Sequence, residues 1–240
     1  MRNTDKDWSA IADAHPYYGV LTNERYLDPD ADDLVDFFAT GEGDIRYLHA
    51  IIERIFGPFA PTSALDFGCG VGRLLIPLSR VAGSGTGIDI ADGMLKLARK
   101  HAADAGVTVQ LGKEIPAGVT FDWVNSSIVL QHIPPARGYG LIRKLWAAVA
   151  KGGFLTLQIT MYKDARHTGE LQRDLTVFRF DGETLINYAD ENDETVGMSM
   201  YDYDLSRVFQ ILGLEDGQPV FMEKTDHGGC HGFRIYAQKR

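Results

Sequence analysis

The stretch Leu65-Asp66-Phe67-Gly68-Cys69-Gly70-Val71-Gly72-Arg73 decides how this chain folds. A short apolar run, Ala64 to Phe67, leads into it, and an amphipathic run over 73–81 leads out. Strand, glycine-rich turn and helix, in that order, put the free N–H groups of a helix start beside the end of a strand, where an anionic group is welcome. The glycines permit a tight turn and let a ligand approach the main chain. They occupy the first, third and fifth positions counted from Gly68, and Arg73 holds the sixth. The dinucleotide fingerprint needs glycine at that sixth position, and a phosphate-binding P-loop needs a following Lys-Ser or Lys-Thr that is missing here. A nicotinamide oxidoreductase is therefore disfavoured. Further on, Gly87-Ile88-Asp89-Ile90 closes a second apolar run with an acid. A carboxylate about twenty residues past such a loop can accept the hydroxyls of a ribose. Each feature alone has a plain structural reading, as a tight connection or a helix N-cap. Together they suggest a nucleoside with a compact, charged tail.

Outward from this centre the chain alternates. Apolar runs at 64–67, 86–89, 107–111, 123–130 and 154–159 are separated by amphipathic stretches at 73–81, 91–105 and 136–150. That pattern predicts parallel strands joined by right-handed helical crossovers. Pro77 lies inside the first of these helices, which predicts a bend or a shorter helix. Residues 1–60 read as mostly helical, with helices at 30–38 and 43–56 and a stop at Gly57-Pro58. Residues 161–200 break the alternation. Strand-like pieces at 176–180 and 184–188 flank Asp181-Gly182 and predict a hairpin. The acidic run 190–194 reads as a solvated loop. A helix at 204–212 and strands at 218–223 and 232–238 complete the chain.

Composition bounds the rest. The 240 residues are 45% hydrophobic and 24% charged, as in a folded domain rather than a disordered chain. Lys and Arg number 24 against 33 Asp and Glu, a net charge of −9, and no basic cluster marks a nucleic-acid face. No apolar run is long enough to span a bilayer. The first residues form no secretory signal. Two cysteines, Cys69 and Cys230, make no disulfide framework and suggest a reducing, cytoplasmic setting.

The segment 65–73 resembles motif I of the class I S-adenosylmethionine-dependent methyltransferases. Gly87-Ile88-Asp89-Ile90-Ala91-Asp92-Gly93-Met94-Leu95 resembles their second motif, and residues 121–133 their fourth. Lys151-Gly152-Gly153-Phe154 resembles the turn before their fifth strand, without its proline. The N-terminal His15-Pro16-Tyr17-Tyr18-Gly19-Val20-Leu21 is similar to a bacterial subset that acts on small molecules. The likeness covers 60–160 well, the C-terminal helix and strands loosely, and 161–200 not at all.

The resemblance implies a Rossmann-like α/β fold, doubly wound, with seven strands, mostly parallel, the last antiparallel. It implies an N-terminal helical lid segment at 1–60 and a methyltransferase domain at 61–240 with a cap-like insertion at 161–200. S-Adenosylmethionine would be the cofactor. Gly68, Gly70 and Gly72 would pass around its methionine part, Asp66 would fix the loop and the amino group, and Phe67 would be a further cofactor-binding residue. Asp89 would hold the ribose, Ile90 and Met94 would pack on adenine, and Ser126 and Ser127 would face the cofactor. In place of the acid that relatives use for the adenine amino group stands Leu111-Gly112-Lys113-Glu114, so that contact is open between Glu114 and backbone.

Methyl transfer asks the protein for alignment and, for a hydroxyl acceptor, for a base. His132, after the fourth strand, is the candidate base, with a packed turn histidine as the plain alternative. Gln131 beside it, Tyr17 and Tyr18 before the core, and His227 in the last connection are candidate substrate contacts. Asp226, His227, Cys230 and His231 have zinc-like chemistry but no regular spacing, so no metal is expected. The expected partner is a small-molecule acceptor methylated at oxygen or nitrogen, with no nucleic acid and no membrane. A protein or RNA methyltransferase, or a cofactor-binding protein without transfer activity, are the alternatives.

Overall fold

The computed structural model describes residues 4–164, 178–180, 185–187 and 200–240. Its centre is a seven-stranded sheet built from β1 (Ala64–Phe67), β2 (Gly85–Ile88), β3 (Val109–Gly112), β4 (Phe121–Ser126), β5 (Val149–Lys163), β8 (Val220–His227) and β9 (Cys230–Gln238). The strand order is β3-β2-β1-β4-β5-β9-β8. Strands β1 to β5 pair in parallel, and β9 runs antiparallel to both β5 and β8. This is the Rossmann-like arrangement expected. The chain adds strands outward from β1 first on one side, through β2 to β3, and then on the other, through β4 to β5, and an open α/β sheet leaves a crevice at such a reversal of order.

Two aromatic and aliphatic layers flank the sheet. On one side α6 (Pro135–Ala147) and α7 (Leu205–Leu212) cover Val124, Leu155, Leu157 and Ile235. On the other, α3 (Ala31–Phe56) and α4 (Leu75–Ala82) cover Ala64, Trp123, Phe154 and Tyr236. Helix α5 (Asp92–Asp104) packs beside β3. Ahead of α3, α1 (Thr4–Ala14) and α2 (Pro16–Val20) lie against α5 through Ala12, Val20 and Met94.

Several local expectations are corrected. The predicted helices at 30–38 and 43–56 are one helix of 26 residues. Asp30 and Asp33 cap it reciprocally, and Gly57 with φ +100 ends it. Its mid-helix Gly41 is costly for propensity, but a Cβ there would collide with the Arg73 carbonyl. Pro77 explains why that carbonyl is available: proline has no N–H to bond the residue four before it. Helix α4 starts at Leu75, so Pro77 falls in its first turn.

The strand predicted at 123–130 ends at Ser126. Lys151-Gly152-Gly153 is no turn before the fifth strand but lies within β5. The register steps from Phe121↔Val149 to Trp123↔Phe154, with Gly152 at φ +82. Strand β5 then runs on to Lys163, into the first residues of the insertion expected at about 161–200. Of that insertion, residues 165–177, 181–184 and 188–199 lie outside the described residues, as do Asp181-Gly182 and the acidic run 190–194. The hairpin strands are present as β6 (Phe178–Phe180) and β7 (Leu185–Asn187), antiparallel to each other. The chain rejoins the core at Tyr201 and Tyr203, whose amides donate to the carbonyls of Gln131 and Thr160. Strand β8 extends to His227, which shrinks the last connection to Gly228-Gly229.

Candidate functional site

A cavity of about 260 Å³ opens at the carboxyl ends of β1, β2 and β4. Its floor is the glycine loop from Asp66 to Gly70. One wall is the end of β2 with the start of α5: Asp89, Ile90, Ala91 and Met94. The facing wall is the turn Ser127-Ile128-Val129 with His132 and Ile133. Asp5 and Trp8 of α1 and Gly19 and Val20 of α2 line it from the N-terminal segment.

The loop is shaped by its glycines. Gly68 has φ +74 and Gly70 φ +51, in the region where only glycine is free of strain. The amides of Gly68 and Cys69 both donate to the Ile88 carbonyl, at 2.7 and 3.0 Å, and so fold the loop onto β2. A side chain on Gly68 would collide with Val129. Main chain therefore forms the floor itself.

Asp89 accepts from the Gly70 N–H at 2.9 Å with Oδ2 and from the Ala91 N–H at 3.0 Å with Oδ1. Burial raises its pKa from the ordinary carboxyl range. Each carboxylate oxygen keeps a further lone pair, so two hydroxyls can be accepted side by side. Asp66 is fully enclosed, and burial pushes it up to about 7, against the pull of Asn125 and Arg73. A buried hydrogen-bond chain ends on it. Trp123 Nε1 donates to Thr156 Oγ1 (2.9 Å), which donates to Asn125 Oδ1 (2.7 Å), and Asn125 Nδ2 donates to Asp66 Oδ1 (2.8 Å). Arg73, 4% exposed, also lines the cavity and donates to Asp44 at 2.7 Å and Thr40 at 3.1 Å.

His132 lies in the wall, its ring centre 4.9 Å from that of Trp8 in an edge-to-face contact. Gln131 Nε2 lies 3.2 Å from His132 Nε2. An amide nitrogen only donates, so the histidine nitrogen accepts and a neutral ring carries its proton on Nδ1. Thr160 Oγ1 fixes that amide by donating to Gln131 Oε1.

The cavity thus gathers Asp66, Phe67, Gly68, Gly70, Asp89, Ile90, Met94, Ser127 and His132 from the sequence-derived set. The other members of that set lie elsewhere. Gly72, φ +95, turns its face to Ala98 and Ile76 of the helices behind the loop. Ser126 is buried in the sheet with its hydroxyl unpartnered. Tyr17 turns away and bonds His101 Nε2 on α5 at 2.9 Å, its ring edge-on to Phe37. Tyr18, on the same helix, does not reach the wall. Gln131 stands behind His132. His227 sits on the outer strand β8, beyond β5 and β9, where burial and Arg234 lower its pKa. Among the described residues no group of His, Cys, Asp and Glu is arranged to hold a metal.

Sequence reading missed Trp8, Arg73, Asn125 and Arg137. Asn125 was visible as a polar residue directly after the apolar pair Trp123-Val124 of β4. Arg137 grips Asp5 with both terminal nitrogens, at 2.8 and 2.6 Å, joining α1 to α6 at the cavity edge. Nothing in the spacing of these two residues signals that pairing.

The residues fit a nucleoside with a charged amino-acid tail. The floor is bare main chain that a Cβ would fill, the ribose-type carboxylate is anchored, and apolar side chains flank it. Comparison with known proteins agrees. Residues 64–153 match the family model of a methyltransferase domain. The ubiquinone biosynthesis O-methyltransferase of Methylobacterium nodulans is 34% identical over 132 residues, 49% of this chain and 52% of that protein. Its counterpart from Albidiferax ferrireducens is 31% identical over 159 residues, 60% and 62% of the two chains. The chain spans about half the length of the first of these relatives. Among solved structures, magnesium protoporphyrin IX methyltransferase from Synechocystis with bound SAH superposes with a TM-score of 0.63 at 18% identity, covering 96% and 99% of the two chains. The N-methyltransferase NodS from Bradyrhizobium japonicum gives 0.59 at 13% identity, covering both chains fully at 100%. These likenesses establish the shared fold.

Proposed function

We propose, on the premise that residues 64–153 carry a methyltransferase domain, that this chain binds S-adenosylmethionine in the cavity and methylates a small molecule. When bound, the sulfonium of the cofactor supplies both the methyl group and its leaving group. The chain's own residues supply binding and alignment. Asp89, oriented by Gly70 and Ala91, accepts the ribose hydroxyls. Ile90 and Met94 give adenine an apolar flank, and Phe67 and Ser127 border the opposite side. Asp66 and the bare main chain of the loop take the methionine part. His132 is placed to receive a proton from an oxygen or nitrogen acceptor through Nε2, exchanging the Gln131 donor for the acceptor's. Trp8 and Val20 shield the site from water.

The observation that carries this reading is Asp89 with both oxygens on backbone amides, one of them the Gly70 N–H of the bare glycine loop that floors the cavity. The net charge of −9 favours a small acceptor over RNA. The ubiquinone O-methyltransferase relatives favour an oxygen nucleophile. Two free cysteines, one buried and one half-buried, fit a reducing cytoplasm. Titration calorimetry with S-adenosylmethionine, S-adenosylhomocysteine and NAD tests the cofactor, with binding of the first two and not the third expected. Turnover on a panel of hydroxylated and amino metabolites then separates a transferase from a binding protein.

A further inference from the structure

Ile128 is the one non-glycine among the described residues with a positive φ, at +60. A β-branched side chain makes that conformation costly, so something must hold it. The holder is Gln158 on β5. Its Oε1 accepts the Ile128 N–H at 2.9 Å, its side chain is 1% exposed, and it stands thirty positions away in sequence. Ile128 sits between Ser127 and Val129, all three in the cavity wall. Val129 in turn fills the space a Gly68 side chain would need. A continuous chain of contacts therefore runs from the middle of β5, through a strained turn, onto the first glycine of the cofactor loop.

We infer that Gln158 is a positioning residue for the cofactor site. It holds the turn after β4 in its left-handed form, so that Val129 is pressed on Gly68 and the loop keeps its shape. This rests on the cofactor reading above. Without the Gln158 acceptor the Ile128 amide has no buried partner and the turn relaxes toward negative φ, which withdraws Val129.

The experiment is S-adenosylhomocysteine binding by calorimetry, with thermal melting alongside, on wild type, Gln158→Glu, Gln158→Met and the double variant Gln158→Met/Ile128→Gly. Gln158→Met should weaken binding about tenfold, the scale of one lost hydrogen bond. Gln158→Glu keeps an acceptor and should stay near wild type. The glycine at 128 adopts φ +60 without strain, so the double variant should recover most of the lost affinity. A merely structural glutamine would lower the melting temperature and leave the dissociation constant alone. Gln158→Met with wild-type affinity, or a double variant that recovers none of it, overturns the inference while the cofactor reading stands. Wild-type protein that takes up no S-adenosylhomocysteine overturns both.

Discussion

Val20, at the end of α2, lies so close to Gly70 that a Cβ on the glycine would stand 2.7 Å from its Cγ2. The N-terminal segment thus touches the cofactor loop directly rather than hanging beside it. We propose that the front of the N-terminal segment, residues 4–20, acts as a lid gripped by Arg137 on Asp5, while α3 behind it belongs to the core layer. Amide exchange across residues 4–20 should slow when S-adenosylhomocysteine binds. Removing 1–20 should cost far more binding or turnover than melting temperature. Unchanged exchange would remove the lid.

Asp89→Ala should weaken S-adenosylmethionine binding by about 1.5–3 kcal/mol, the range for hydrogen bonds to a charged group. Wild-type affinity in a calorimetric titration would sink the ribose assignment.

Asp66 gives a pH prediction. An ordinary aspartate titrates near pH 4, and the buried one at about 7. Between those values the folded chain holds a proton that the unfolded chain has released, so stability falls as pH rises through this window and is level above it. Asp66→Asn removes the fall. The free variant should melt above wild type at pH 8 and alongside it at pH 4, by about 2–4 °C for each kcal/mol recovered. It should bind S-adenosylhomocysteine more weakly at pH 8. Parallel melting curves across the whole range would contradict the burial argument.

Tyr17→Phe should leave cofactor affinity unchanged and lower stability by about 0.5–1.5 kcal/mol, one hydrogen bond's worth. Denaturant unfolding of the two proteins measures it. A large loss of cofactor affinity would return Tyr17 to the site.

The proposed cofactor half of the site was legible because it is local. Gly68, Gly70 and Asp89 come to one cavity through strand ends and turns, which a linear pattern records. What escaped depends on separation. Tyr17 bonds a histidine 84 positions away, and Arg137 finds Asp5 across 132, distances that no periodicity encodes. The single α3 escaped because Gly41 reads as a break, and only the Arg73 carbonyl explains it. Strand β5 escaped because Gly152-Gly153 reads as a turn while the sheet absorbs it as a register step. Parallel strands joined by helices were legible in the alternation itself, whereas seven strands with the last antiparallel followed from the resemblance, and the strand order comes from the structure.

The hydrogen-bond chain from Trp123 to Asp66 has a polarity. An indole can only give a proton, so Thr156 must pass its own onward to Asn125, and Asn125 must present its NH₂ to Asp66. Reversing the chain would aim two donors at the Thr156 oxygen and strand the threonine proton. Asp66 Oδ1 is therefore held as an acceptor in every protonation state. When Asp66 takes up a proton near neutrality, that proton belongs on Oδ2. A tryptophan at the far end of the chain, buried and chemically inert, thereby decides which of two equivalent oxygens carries acid character in the site.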